Sequence, residues 1–388
     1  MTKVGANSFI RCTPLEIAAG WPYGLLPDSP LPHDHRTPRQ ALDDAIRPAL
    51  VQAPCYITFS GGRDSSAVLA AATALARREG HELPIPVTRV YPHLPATDET
   101  VWQQLVVDHL GLRDWIRLKF QQGETEILGV SALGSLLTRG VLFPAPLHAH
   151  TAMFKRLGSG SLLTGEGGDA SLGSRRGTAL ALLRRRRISP SVVRHAVDAT
   201  LPRPVQRIIT GQMMRHRSLQ AKWLRPAALR QHARLATEDI IAEPLLWAAG
   251  TWFITRMRSF ATIRHNHTAM AAAFGLVASD PLLDAGFLAA LAHRGGILGF
   301  TSRTSAMGAL FTDVLPKAVL TRTTKAAFNE AHSGATVKEF ARSWDGAGVD
   351  SELVDIDKLR DVWLNENLSM ITGLLLHSAW LAAQEGHP

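Results

Sequence analysis

Short apolar runs alternate with helix-period segments through the first half of the chain. Tyr56-Ile57-Thr58-Phe59 is apolar and brief, which predicts a strand over 55–60. Ala67-Val68-Leu69-Ala70-Ala71-Ala72 follows, rich in strong helix formers, and predicts a helix over 65–79 closed by Gly80. Ile85 to Val90 reads as a second strand, and Thr97-Asp98-Glu99 opens a helix ending near Leu110-Gly111. Trp115 to Phe120 is a third strand, 147–157 a helix before Gly158, and Ser161 to Thr164 a fourth strand. Upstream, Thr37-Pro38 starts a helix in which Leu42, Ala45, Ile46, Ala49 and Leu50 keep helical spacing, and Pro48 is expected to kink or end it. Residues 1–36 carry Pro14, Pro22, Pro27, Pro30 and Pro32 with no period, which suggests an extended arm. From 178 onward no strand pattern is found; 205–220, 236–258, 267–277, 285–293, 304–315 and 359–384 read as helices.

Strands alternating with helices imply an α/β fold with a mainly parallel sheet. The organisation expected is an arm (1–36), an α/β domain (37–177) and a helical region (178–388) that completes the site. The chain has 388 residues, enough for about two domains with real cores. It shows no apolar run long enough to span a bilayer and no signal-peptide pattern at Met1-Thr2-Lys3-Val4. Two cysteines, Cys12 and Cys55, form no disulfide framework, and a reducing cytoplasm is expected. The net charge of +9 is concentrated in arginines at 175–176, 184–187, 194, 203 and 207. No RNA-binding signature accompanies them, so a solvated helical face is expected, with neither nucleic acid nor membrane as partner. His148 and His150, or His265 and His267, are two apart, which is the wrong spacing for one helix face, so no zinc site is expected.

Chemistry concentrates at two glycine turns. Ser60-Gly61-Gly62-Arg63-Asp64-Ser65-Ser66 joins a strand to a helix. Adjacent glycines let the backbone approach a ligand, and the helix start offers unpaired N–H groups to an anion, commonly phosphate. Without GxxxxGK[ST] this is not a Walker loop. The second turn, Gly165-Glu166-Gly167-Gly168-Asp169, also ends a strand, and in such sheets ligands bind at strand carboxyl ends.

The first turn resembles the SGGxDSS pyrophosphate loop of N-type ATP pyrophosphatases. Leu162-Leu163-Thr164-Gly165-Glu166-Gly167-Gly168-Asp169 resembles the L-[ST]-G-E-G-x-D signature of the asparagine synthetase family. The block from Gly275 to Asp284, the Leu315-Pro316-Lys317 to Arg322-Thr323-Thr324-Lys325 segment with Phe328, and Asp98-Glu99 with Leu110-Gly111 fit further stretches of that family in order, over about 40–330. The resemblance implies roles. Ser60, Gly61, Gly62, Ser65 and Ser66 would cradle pyrophosphate, beside Gly165. Asp64 and Asp169 would hold Mg²⁺, and adenine would lie near the backbone of Phe59 and Val90. Lys325 would offset charge near the α-phosphate, Glu166 would accept a proton from the attacking amine, and Arg322 would belong to the catalytic set.

The chain departs from the family pattern at Arg63, at Ala170-Ser171 after Asp169, and at Val277 and Ser279 before Pro281. The last two put aspartate as substrate in doubt. The chain does not begin Met-Cys, and a glutaminase half is not expected. The implied activity is adenylation of a carboxylate with ATP and Mg²⁺, then acyl transfer to an amine, as in β-lactam synthetases and the macrolactam cyclases of lasso peptides. Its substrates would be a small-molecule or peptide carboxylate and amine, with room for a partner protein that presents them. The alternatives are a tRNA-modifying enzyme with the same loop and a catalytically silent scaffold.

Overall fold

The computed structural model describes residues 9–218, 220–324, 326, 331–332, 334–365 and 370–385. Five strands, β1 (Cys55–Thr58), β2 (Ile85–Val90), β3 (Ile116–Lys119), β4 (Gly160–Leu163) and β5 (Leu276–Ser279), form one sheet in the order β3-β2-β1-β4-β5. Every pairing is parallel. Central strands buried on both faces need apolar side chains throughout, and Cys55 to Ile57 and all of β4 are buried. The chain winds outward from β1 to β3, then restarts on the other side of β1 with β4. The order therefore reverses between β1 and β4, which puts a crevice at their carboxyl ends.

Helices α1 (Pro14–Ala19), α2 (Pro38–Val51), α3 (Arg63–Glu79), α4 (Thr100–Leu110), α5 (Val130–Arg139) and α6 (Leu147–Leu157) occupy the first half. Thr37 and Gln40 form a capping box at the start of α2, and Gly80 ends α3 at φ +72°. One face of the sheet packs on α2 and α3, with Ile57, Phe59, Leu69 and Leu163 in its core. The other packs on α6 and on the helix Arg258–Ala272 through Val87, Phe154, Leu162 and Met270. A third core, around Trp223, Trp344 and Trp363, joins α1 to the later helices.

Three expectations need correction. Pro48 does not end its helix, which runs on to Val51: only the last turn remains, so few carbonyls lose a partner. The segment from 178 on is not all helix, because β5 completes the sheet. Its four residues are too few for an alternation to show, although Leu276 and Ala278 are buried while Val277 is exposed. The arm is not merely extended: Thr13 and Glu16 form a capping box on α1, and Phe9, Leu15 and Tyr23 are buried. Glu16, itself buried, pairs with Arg258. Helix α5 had not been foreseen at all.

Candidate active site

The turn after β1 is built tightly. Gly61 sits at φ +79°, where an added Cβ would lie 2.9 Å from Gln103 Cγ of α4. Only glycine fits both that dihedral and that approach. Gln103 Nε2 donates to the Ser60 carbonyl at 3.3 Å, so α4 braces the loop. Ser65 Oγ accepts from the Ser60 N–H at 3.2 Å and donates to the Gly62 carbonyl at 3.2 Å. Asp64 lies in the first turn of α3, where a carboxylate is favoured by the helix dipole.

The second turn, after β4, interlocks with the first. A Cβ on Gly165 would come within 2.6 Å of the Ser65 backbone nitrogen, and one on Gly168 within 2.2 Å of Asp64 Cγ. Gly167, at φ +79°, leaves room for Leu283, which follows β5. Thr164 Oγ1 donates to the buried Asp280 carboxylate at 2.5 Å and accepts from the Glu166 N–H at 3.0 Å. Arg175 donates to the Ala170 carbonyl and so ties down the chain just past Asp169. This arginine and Arg176, which reaches the Ala199 and Glu243 carbonyls at 2.8 and 3.0 Å, are structural members of the basic cluster. Arg184 to Arg187 are exposed, as a solvated face requires.

The two turns bring Asp64 and Asp169 onto one cation. Arg303 Nη2 lies 2.5 and 2.6 Å from the two oxygens of Asp64, and its Nη1 pairs with Asp169. Arg63 stands close by, with Nη1 3.3 Å from Thr304 Oγ1; partial burial and then the neighbouring Arg303 charge lower its pKa. Sequence reasoning missed Arg303. It opens a helix, Arg303–Phe311, where a cation opposes the helix dipole; that mismatch is the signal for an acidic partner elsewhere in the fold.

Arg322 has a different station. Its buried guanidinium donates to Glu99 Oε1 at 2.6 Å and to the Gly61 carbonyl at 3.0 Å, and stacks on Trp102 at 4.5 Å. It thereby braces the loop backbone at Gly61. A cavity of about 360 Å³ borders this pair, lined by Asp98, Glu99, Trp102, Arg322 and Thr324 among others. Phe59 is buried, with its N–H given to the Val87 carbonyl and its own carbonyl accepting from Thr88 Oγ1 at 2.9 Å. The Val90 carbonyl accepts the Phe120 N–H. These backbone groups are held by the sheet, so any contact of Phe59 or Val90 with a nucleotide must use their remaining surface. Ser60, Glu166 and Asp169 are exposed at the crevice, while Ser66 is buried beneath it. Lys325 and Phe328 lie outside the described residues.

Two carboxylates on separate turns clasp one guanidinium, so the space between them takes a cation, and their hard oxygens suit Mg²⁺. No cluster of three or more potential metal-ligating side chains is found among the described residues.

A parallel α/β sheet with a phosphate-type turn after its central strand and paired carboxylates at the switch point defines a nucleotide-binding fold. The asparagine synthase family model matches residues 37–382, and the chain belongs to that family. It is thereby an ATP-dependent ligase of the kind that forms carbon–nitrogen bonds. No curated protein matches the chain. No helix among the described residues is long and apolar enough to cross a membrane.

Proposed function

We propose that the protein adenylates a carboxylate at the β1–β4 crevice, releasing pyrophosphate, and passes the acyl group to an amine of the same molecule with release of AMP. The observation that carries this is the convergence of Asp64 and Asp169 on one cation beside the Ser60–Ser66 turn. In this reading the N–H groups at the start of α3 receive the pyrophosphate, and Asp64 and Asp169 hold Mg²⁺. Bound there, the metal supplies positive charge to the leaving pyrophosphate. In this reading Arg303 yields the two carboxylates to the metal and, with Arg63, adds charge of the same sign at the rim. Arg322 and Glu99 fix Gly61, and with it the loop's line of approach. Glu166, exposed on the turn that carries Asp169, would accept the amine's proton, and Lys325 would offset charge on the acyl phosphate.

Two features support a lactam-forming reaction over aspartate amidation. Val277 and Ser279 replace the charged pair that the asparagine-forming pattern carries before Pro281. The Arg322-Thr323-Thr324-Lys325 sequence matches the macrolactam branch. The test is ATP–pyrophosphate exchange over a panel of carboxylates. Asp64→Asn is expected to abolish exchange, and Lys325→Ala to cut turnover severely. Retention of full exchange by Asp64→Asn would refute the metal role.

A further inference from the structure

The opposite face of the sheet carries polar groups that the reaction above does not use. Side chains alternate along β2, so Arg89 shares a face with buried Val87, whereas Thr88 turns the other way to meet Trp115 Nε1 at 2.9 Å. Packed over the Val87 face are α6, which carries His150, and the helix Arg258–Ala272, which carries His267. The two imidazoles meet edge to face with centroids 6.2 Å apart. His332 joins them, its Nδ1 3.0 Å from the Thr125 carbonyl. Arg89 lies within electrostatic reach of both His150 and His332.

This group is short of negative charge. The Arg89 guanidinium makes no hydrogen bond or ion pair among the described residues, though it is half-buried at the carboxyl end of a strand. His150 Nδ1 is buried and likewise has no hydrogen-bond partner among them. Asp280 acts electrostatically on His267 but is bonded to Thr164. Burial, then the Arg89 charge, keeps His150 well below the usual imidazole range, so it is a neutral ring with one N–H to donate. An arginine fork beside an imidazole donor is the chemistry that binds an oxyanion. The nucleotide's phosphates belong to the turn before α3, which covers the other face of the sheet.

Resting on the proposed adenylation, we propose that Arg89, with His150, binds a second carboxylate of the acyl donor beside His332, so that the donor carries at least two acidic groups and reaches over the carboxyl edge of the sheet. Two measurements on the full chain test this. In protein labelled with ¹⁵N-histidine, succinate should shift the His150 and His332 imidazole signals saturably. Arg89→Gln should weaken that saturation about tenfold or more, with His150→Gln as the second variant should the first not fold. No shift, or an equal shift in a folded variant, overturns the subsite. Inorganic phosphate that saturates where succinate does not overturns its assignment to substrate.

The second measurement is ATP–pyrophosphate exchange with succinate and glutarate against their monomethyl esters. Diacids should have about tenfold lower KM in the wild type, a preference that Arg89→Gln removes with the maximal rate little changed. Imidazole shifts without exchange on any carboxylate would leave the anion subsite standing and overturn the adenylation reading. Equal exchange on diacids and monoesters in both proteins would do the reverse.

Discussion

Replacing Gly168 by alanine tests the site through a single methyl group. Gly168 has ordinary helical geometry, so alanine meets no dihedral penalty there. The methyl carbon would nevertheless stand 2.2 Å from Asp64 Cγ, 2.4 Å from its Oδ1 and 2.7 Å from its Cβ. Carbon atoms in contact prefer about 3.5–4.0 Å, so the carboxylate must retreat by more than about 1 Å. It cannot do so and keep Arg303 on both oxygens. Overpacking of this kind costs about 1–3 kcal/mol of stability, and a misplacement of about 1 Å at a reacting centre costs about 100-fold in rate. The expected result is a folded protein with pyrophosphate exchange reduced about 100-fold. Gly134→Ala in α5 is the control: an added Cβ there meets nothing within 4 Å, and helix propensity favours alanine by about 0.5–1 kcal/mol. Exchange within twofold of wild type in Gly168→Ala, with melting unchanged, would refute the claim that the interlocked turns set the position of Asp64.

Glu99→Gln removes the charge opposite a buried guanidinium and should cost roughly 3–5 kcal/mol of stability by urea unfolding, together with a raised KM for ATP as Gly61 loses its anchor; a loss under 1 kcal/mol would show that Arg322 finds another partner. Acid should destabilise the fold. Burial holds His332, assisted by Arg89, and His377 at about 4, below the unfolded value of about 6.5. Between those values the unfolded chain binds more protons, so stability falls as pH drops from 6.5 toward 4, by roughly 3 kcal/mol per histidine at the limit. Unfolding midpoints between pH 7 and 4.5 measure this, and His377→Gln should flatten the curve; an unchanged slope would contradict the burial argument for that ring.

Much of the first half could be read from pattern alone, because strands buried on both faces must be apolar and helix ends must be capped. Ile85–Val90 and Leu147–Leu157 fall where the periodicity places them. The meeting of the Gly61 and Gly165 turns followed from two glycine-rich strand ends in one parallel sheet. What pattern could not supply was contact between distant segments. Arg303 lies on a helix start with no motif around it, and only the folded chain brings it to Asp64. Arg322 carried a family motif, but its partnership with Glu99 and Gly61 depends on three elements meeting. β5 was hidden for a different reason: at an edge only alternate residues need be apolar, and four residues give too little of that signal.

The dependence of the second turn on β5 bears on how the protein is made. Thr164 is held through its N–H by the Ser279 carbonyl and through its hydroxyl by Asp280, while Leu283 fills the space beside Gly167. All of these leave the ribosome only after the whole stretch from Gly165 to Gly275 has been translated. Until then β4 is an open parallel border with unpaired amides, the kind of surface that sticks to other nascent chains. Truncations ending before Leu276 should therefore aggregate and require chaperones, however complete their first four strands.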